Sequence, residues 1–182
     1  YLSLSELYSI IYQRSPLELS EETIKKVKKG RDYLDAKMAK QEGAIYGINT
    51  GFGSLCDVAI EGKDLEKLQV NLVRSHACGT GAVIDPSFVR TMLFLKAKAF
   101  SQGKSGVRVE LLEQLIFFYN NEILPQVFEQ GSLGASGDLA PLAHLSLALM
   151  GEGEVFYQEE WCDSLEVLNK IGRSPIKLKS KE

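Results

Sequence analysis

The chain has 182 residues, 45% of them hydrophobic, which is the length of one domain with enough apolar material for a substantial core. Its 21 basic and 24 acidic side chains leave a formal charge of −3, which argues against nucleic acid as a partner. Cys56, Cys78 and Cys162 are widely spaced and form no CxxC, so they indicate neither a disulfide framework nor a zinc site and fit a reducing cytoplasm; no apolar run reaches the ~18 residues of a membrane span.

Tyr1 is not an initiator methionine, no charged-then-apolar leader follows it, and the final "SPIKLKSKE" offers neither a closing helix nor a polar tail. The chain therefore reads as a non-exported segment of a longer polypeptide. The first clear helix starts at Ser20, where a serine cap precedes Glu21 and Glu22 and then apolar Ile24, Val27, Leu34 and Met38 at helical spacing. Lys25, Lys26, Lys28 and Lys29 form its solvated face. The stretch "IYGINTGFGSLCDVAIEG" is glycine-punctuated and poor in helix formers, which predicts turns and short strands.

A second helical pattern begins near Asp64, with Leu65, Leu68 and Leu72 on its buried face. Pro86 opens a third helix that ends by Gly103, and "GVRVELLEQLIFFYNNEILP" reads as a fourth, stopped at Pro125. After "GSLGASGDLAP", the run "LAPLAHLSLALMG" is apolar on nearly every face, as a helix inside a bundle would be. "GEGEVFYQ" alternates as a short strand and "SLEVLNKIG" makes a last short helix. Helices dominate, so the fold class is mainly α with a few short strands.

The passage at 131 to 141 carries almost no side chain, and that smallness suits chemistry done by the backbone itself. If the loop bends tightly, the amide nitrogen of Gly137 can attack the carbonyl carbon of Ala135, and glycine lowers the steric barrier to that bend. Loss of water there and from Ser136 leaves a methylidene-imidazolone, an electrophile that protein side chains do not match. A glycine loop capping a helix would explain Gly131, Gly134 and Gly137 singly, but not together with their neighbours.

"GSLGASGDLAPLAH" closely resembles the signature of the aromatic amino acid ammonia-lyases, which build that prosthetic group from their own Ala-Ser-Gly. "YGINTGFG" at 46 to 53 and "LQVNLVRSHACGTG" at 68 to 81 resemble two further motifs of that family, in the same order. The resemblance implies the N-terminal part of the ammonia-lyase fold. It divides the chain into a helical region with a tyrosine loop over 1–125 and, over 126–182, the prosthetic-group loop with the start of the central helices.

By this resemblance Ala135, Ser136 and Gly137 form the methylidene-imidazolone, with no external cofactor and no metal. Tyr46 matches the family's general base, which takes a proton from the carbon β to the amine. A phenol with an ordinary pKa near 10 is a poor base at neutral pH, so such a site must stabilise the phenolate. Ser75 and His76 match the position that touches the substrate's side chain and look like the histidine-specific members, where a ring nitrogen can hydrogen-bond an imidazole. The helix after Asp138 directs its N-terminal amides at the loop, and His144 on that helix reads as structural packing near the site. Gly79-Thr80-Gly81 is no dinucleotide motif, because a helix precedes it and Ile84 stands where a third glycine is needed.

The implied reaction is elimination of ammonia from L-histidine to give trans-urocanate, in a homotetramer whose sites are shared between subunits. Two other readings stay open: a tyrosine or phenylalanine ammonia-lyase or aminomutase of the same family, and a structural fragment without activity of its own.

Overall fold

The computed structural model describes residues 2–40, 43–51, 57–132 and 139–182. Ala135, Ser136, Gly137 and Cys56 lie outside the described residues. Among the described residues there are seven helices: α1 (Leu4–Tyr12), α2 (Glu21–Ala39), α3 (Leu65–His76), α4 (Pro86–Phe100), α5 (Val109–Asn120), α6 (Leu139–Leu149) and α7 (Ser164–Lys170). No described helix is long and apolar enough to cross a membrane.

Local chemistry accounts for most of the helix starts. Ser20 caps α2 by accepting from the Thr23 amide, and Asp163 caps α7 by accepting from the Glu166 amide. Pro86 stands in the first turn of α4, where its missing N–H costs nothing, and Asp85 accepts from the Ser87 amide. Helix α1 begins with a reciprocal capping box between Ser3 and Glu6.

The described residues also form five short strands: β1 (Thr80–Val83), β2 (Leu124–Pro125), β3 (Phe128–Gln130), β4 (Glu154–Tyr157) and β5 (Glu160–Asp163). β1 pairs antiparallel with β3, and β2, β4 and β5 form a second antiparallel sheet in that order. Pro125 is thus both the stop after α5 and a strand residue, paired with Val155.

The core lies between α4 and α5 and the second sheet. Leu93, Leu112, Phe118, Ile123, Val127, Val155 and Leu168 are wholly shielded from water, and burial of each such side chain stabilises the fold by roughly 1.5–3 kcal/mol. Helix α6 buries Ala140, Ala143, Leu145, Ala148 and Leu149 against α3, α7 and β2. Its burial is one-sided: Leu139 is exposed and Leu142 and Leu147 are half-buried. Arg31 on α2 is buried too, and its guanidinium donates to Asp35 and to the carbonyls of Gly106 and Ser180.

Candidate active site

Helix α3 packs on α6, and Arg74 reinforces that contact with a two-pronged ion pair to Glu152 at 2.7 and 3.0 Å. Both partners are partly exposed, so this pair contributes little. The helix ends at Ser75 and His76. The Ser75 hydroxyl donates to the Leu72 carbonyl at 2.9 Å, and the His76 Nδ1 lies 2.8 Å from the same oxygen and 3.0 Å from the Ser75 hydroxyl. A carbonyl only accepts, so Nδ1 carries the proton, and in the neutral ring Nε2 is left as the acceptor. The ring is half-buried, with its tautomer set by its own helix.

Three residues on, the Gly79 amide donates to Nε2 of His144 at 2.9 Å. The His144 ring therefore presents a lone pair at Nε2 and holds its proton on Nδ1. It meets Phe128 of β3 edge-on, with ring centres 5.1 Å apart, and burial pushes its pKa below the ordinary histidine value. No side chain fits at Gly79: a Cβ there would stand 2.8 Å from His144 Nε2 and 3.1 Å from Phe128 Cβ. Gly131 shares this close approach, since a Cβ on it would lie 2.9 Å from both Gly79 Cα and Ala140 Cβ.

The residues on either side of the Ala-Ser-Gly segment are thereby held together. Positions 131 and 140 are nine residues apart and would span about 30 Å in an extended chain, yet Gly131 packs directly on Ala140. Gly79, Gly131 and Ala140 form a close-packed cradle that a Cβ on either glycine would fill, and α6 starts beside it, where a helix's first amide donors have no partner within the helix itself. Clamped ends, minimal side chains and the positive end of a helix suit a ring made from the backbone of Ala135, Ser136 and Gly137.

Tyr46 stands on a separate turn. The amides of Ile48 and Asn49 donate to the Ile45 carbonyl at 3.0 and 3.2 Å, and the Asn49 side chain accepts from the Ile45 amide at 2.6 Å. The buried Thr50 hydroxyl accepts from the Gly47 amide, and Ser180 donates to the Ile48 carbonyl at 2.7 Å. The foot of the turn is fastened to the C-terminal segment, while Tyr46 itself is 63% exposed. The fold thus brings the stretch ending at Gly79 together with the stretch leading to His144, and anchors the Tyr46 turn elsewhere.

From the sequence, His144 reads as packing near the site and Gly79 as part of a false nucleotide motif, and nothing local to either residue indicates that the two are bonded. The local signal available was a glycine followed by strand-forming residues, which marks a close backbone approach.

The family model for aromatic amino acid lyases matches residues 2–182. The histidine ammonia-lyase of Geobacillus thermodenitrificans (strain NG80-2) is 49% identical over 181 residues, which are 100% of this chain and 36% of that protein. Among solved structures, the Pantoea agglomerans phenylalanine aminomutase superposes with a TM-score of 0.92 at 31% identity, over 100% of this chain and 34% of its own. The histidine ammonia-lyase from Trypanosoma cruzi gives a TM-score of 0.87 at 35% identity, over 100% and 35%. The chain spans about a third of the length of these relatives. A match along the whole sequence means that the chain belongs to the aromatic amino acid lyase family.

Proposed function

We propose that the protein containing these residues eliminates ammonia from L-histidine to give trans-urocanate. The observation that carries this reading is His76: with Nδ1 committed to the Leu72 carbonyl, its Nε2 is the acceptor an imidazole N–H requires. The 49% identity to a histidine ammonia-lyase supports the same substrate. The fold alone does not choose, because an aminomutase superposes as well as a lyase.

Formed from Ala135, Ser136 and Gly137, a methylidene-imidazolone would supply the electrophile that activates the amine for departure. The remaining steps fall to side chains. Tyr46 takes the proton from the β-carbon, the electrons of that C–H bond become the new C=C bond, and the C–N pair leaves with the amine. His76 holds the imidazole so that the β-carbon meets Tyr46, and the first turn of α6 stabilises negative charge developing beside it. Stabilising the Tyr46 phenolate is the work of groups in the rest of the polypeptide and in neighbouring subunits of a homotetramer. The 182-residue chain by itself is therefore inactive.

The full-length protein mixed with L-histidine should show growing near-ultraviolet absorbance from the conjugated product, and a silent full-length protein would overturn the reading. Growth with the 182-residue chain alone would overturn only its inactivity. His76→Leu should abolish the preference for histidine over phenylalanine and tyrosine; an unchanged preference would show that another residue reads the side chain. An intact mass two waters below the sequence mass is expected for the closed ring, and the full sequence mass would count against it.

A further inference from the structure

We propose that His144 is a positioning residue, which sets the place of His76 relative to the start of α6 by accepting a hydrogen bond from the Gly79 backbone amide. The inference rests on the proposed lyase reading for its kinetic consequences and on the hydrogen bond alone for its structural ones. His144 lies on the helix that leaves the Ala-Ser-Gly segment, and Gly79 lies three residues beyond His76. The 2.9 Å bond between them joins the two halves of the cradle.

Both ends of this link are rigid. The His76 ring is tied to Leu72 within its own helix, and the Ala77 amide continues that helix by donating to the Val73 carbonyl at 3.0 Å. The His144 ring is wedged between Phe128 and the backbone of Gly79, with 2.8 Å to the place where a Cβ would stand. A displacement at Gly79 is therefore passed to His76 and not absorbed on the way.

The acceptor role requires a neutral ring. Protonation of Nε2 would set two N–H donors face to face at a separation now bridged by a hydrogen bond, and Gly79 would be expelled. Burial opposes that protonation and keeps the acceptor form to lower pH than an exposed histidine would. The titratable groups on the elements packed around it are Glu66 and Lys67 at the start of α3, Arg74 and His76 at its end, Cys78 just beyond it, Glu129 on β3, and Glu166 and Lys170 on α7. Arg74 is paired with Glu152, and strand alternation turns Glu129 to the face opposite Phe128. Asp138 belongs to the segment outside the described residues.

The test uses the full-length protein with His144→Gln, which keeps an acceptor oxygen near the Nε2 position and does not titrate, and His144→Leu, which offers no acceptor. For L-histidine, His144→Leu should lower kcat/KM at least tenfold with most of the loss in KM. His144→Gln should recover most of that loss and fall off less on the acid side than the wild type. Equal losses in the two variants, or a loss confined to kcat, would overturn the proposal.

A second readout is independent of turnover. With glycine-selective nitrogen-15 labelling, the Gly79 amide should shift as pH falls in the wild type and stay fixed in His144→Gln. An amide indifferent to pH in the wild type sinks the proposal even if L-histidine is consumed. A responsive amide in a protein that consumes no L-histidine sinks the lyase reading and leaves the hydrogen bond standing.

Discussion

Replacing Gly79 with alanine isolates the contact on which the site's assembly rests. The new Cβ would lie 2.8 Å from His144 Nε2, 3.1 Å from His144 Cδ2 and 3.1 Å from Phe128 Cβ, each well inside an ordinary contact. Relief requires the imidazole to retreat by about half an ångström, but retreat stretches the 2.9 Å bond that the Gly79 amide makes to the same ring. Overpacking of this kind costs about 1–3 kcal/mol, and weakening the hydrogen bond adds up to about 1 kcal/mol. The lower backbone entropy of alanine in the unfolded chain returns about 0.4–1 kcal/mol.

The net expectation is a destabilisation of about 2 kcal/mol, which at about 2–4 °C per kcal/mol for a domain of this size lowers Tm by about 4–8 °C. Thermal unfolding followed by circular dichroism reads that shift. The double variant with His144→Ala supplies the control: with the ring gone the methyl has room, so Gly79→Ala should cost much less in that background. A Tm unchanged or raised by Gly79→Ala, or an equal cost in both backgrounds, would refute the reasoning.

Three further outcomes are expected. Arg31→Met keeps the apolar stem of a buried side chain but leaves the carbonyls of Gly106 and Ser180 without their donor, and should cost about 2–4 kcal/mol in denaturant unfolding. Ser164→Ala removes the wholly buried hydroxyl that donates to the Ala148 carbonyl at 2.7 Å, joining α7 to the end of α6, and should cost about 1–2 kcal/mol by the same measurement. For His144, burial lowers the folded-state pKa below the unfolded value, so the unfolded chain takes up the proton first. Its contribution to stability should be complete above the unfolded value, near pH 6.5, and be lost as pH falls through the folded one. His144→Gln should lack that component when stability is measured between pH 7.5 and pH 5, which are about one unit above and 1.5 units below the unfolded value.

Helices with their own punctuation were legible in the amino-acid order. Ser20 before two acids, Pro86 at a first turn and the serine-led run from Ser164 each mark an element whose signals lie within a few residues. Helix α1 carries an equally local signal in the capping box of Ser3 and Glu6. Strands β1, β2, β3 and β5 were not legible. Two to four residues show no periodicity, and the partners of Val83 and Thr80 in β1 stand far along the chain, at Phe128 and Gln130. Such pairings are chosen by packing and not by propensity.

The candidate site divides along the same line. The amino-acid order by itself determined the Ala135-Ser136-Gly137 string, the motifs around Tyr46 and His76, and through them the family, because these are matters of residue type at short spacing. Only the tertiary structure decided that Gly79 donates to His144 across 65 positions and that Gly131 closes on Ala140. A hydrogen bond of 2.9 Å exists only once two helices have packed, and no local pattern encodes the partner that packing will supply.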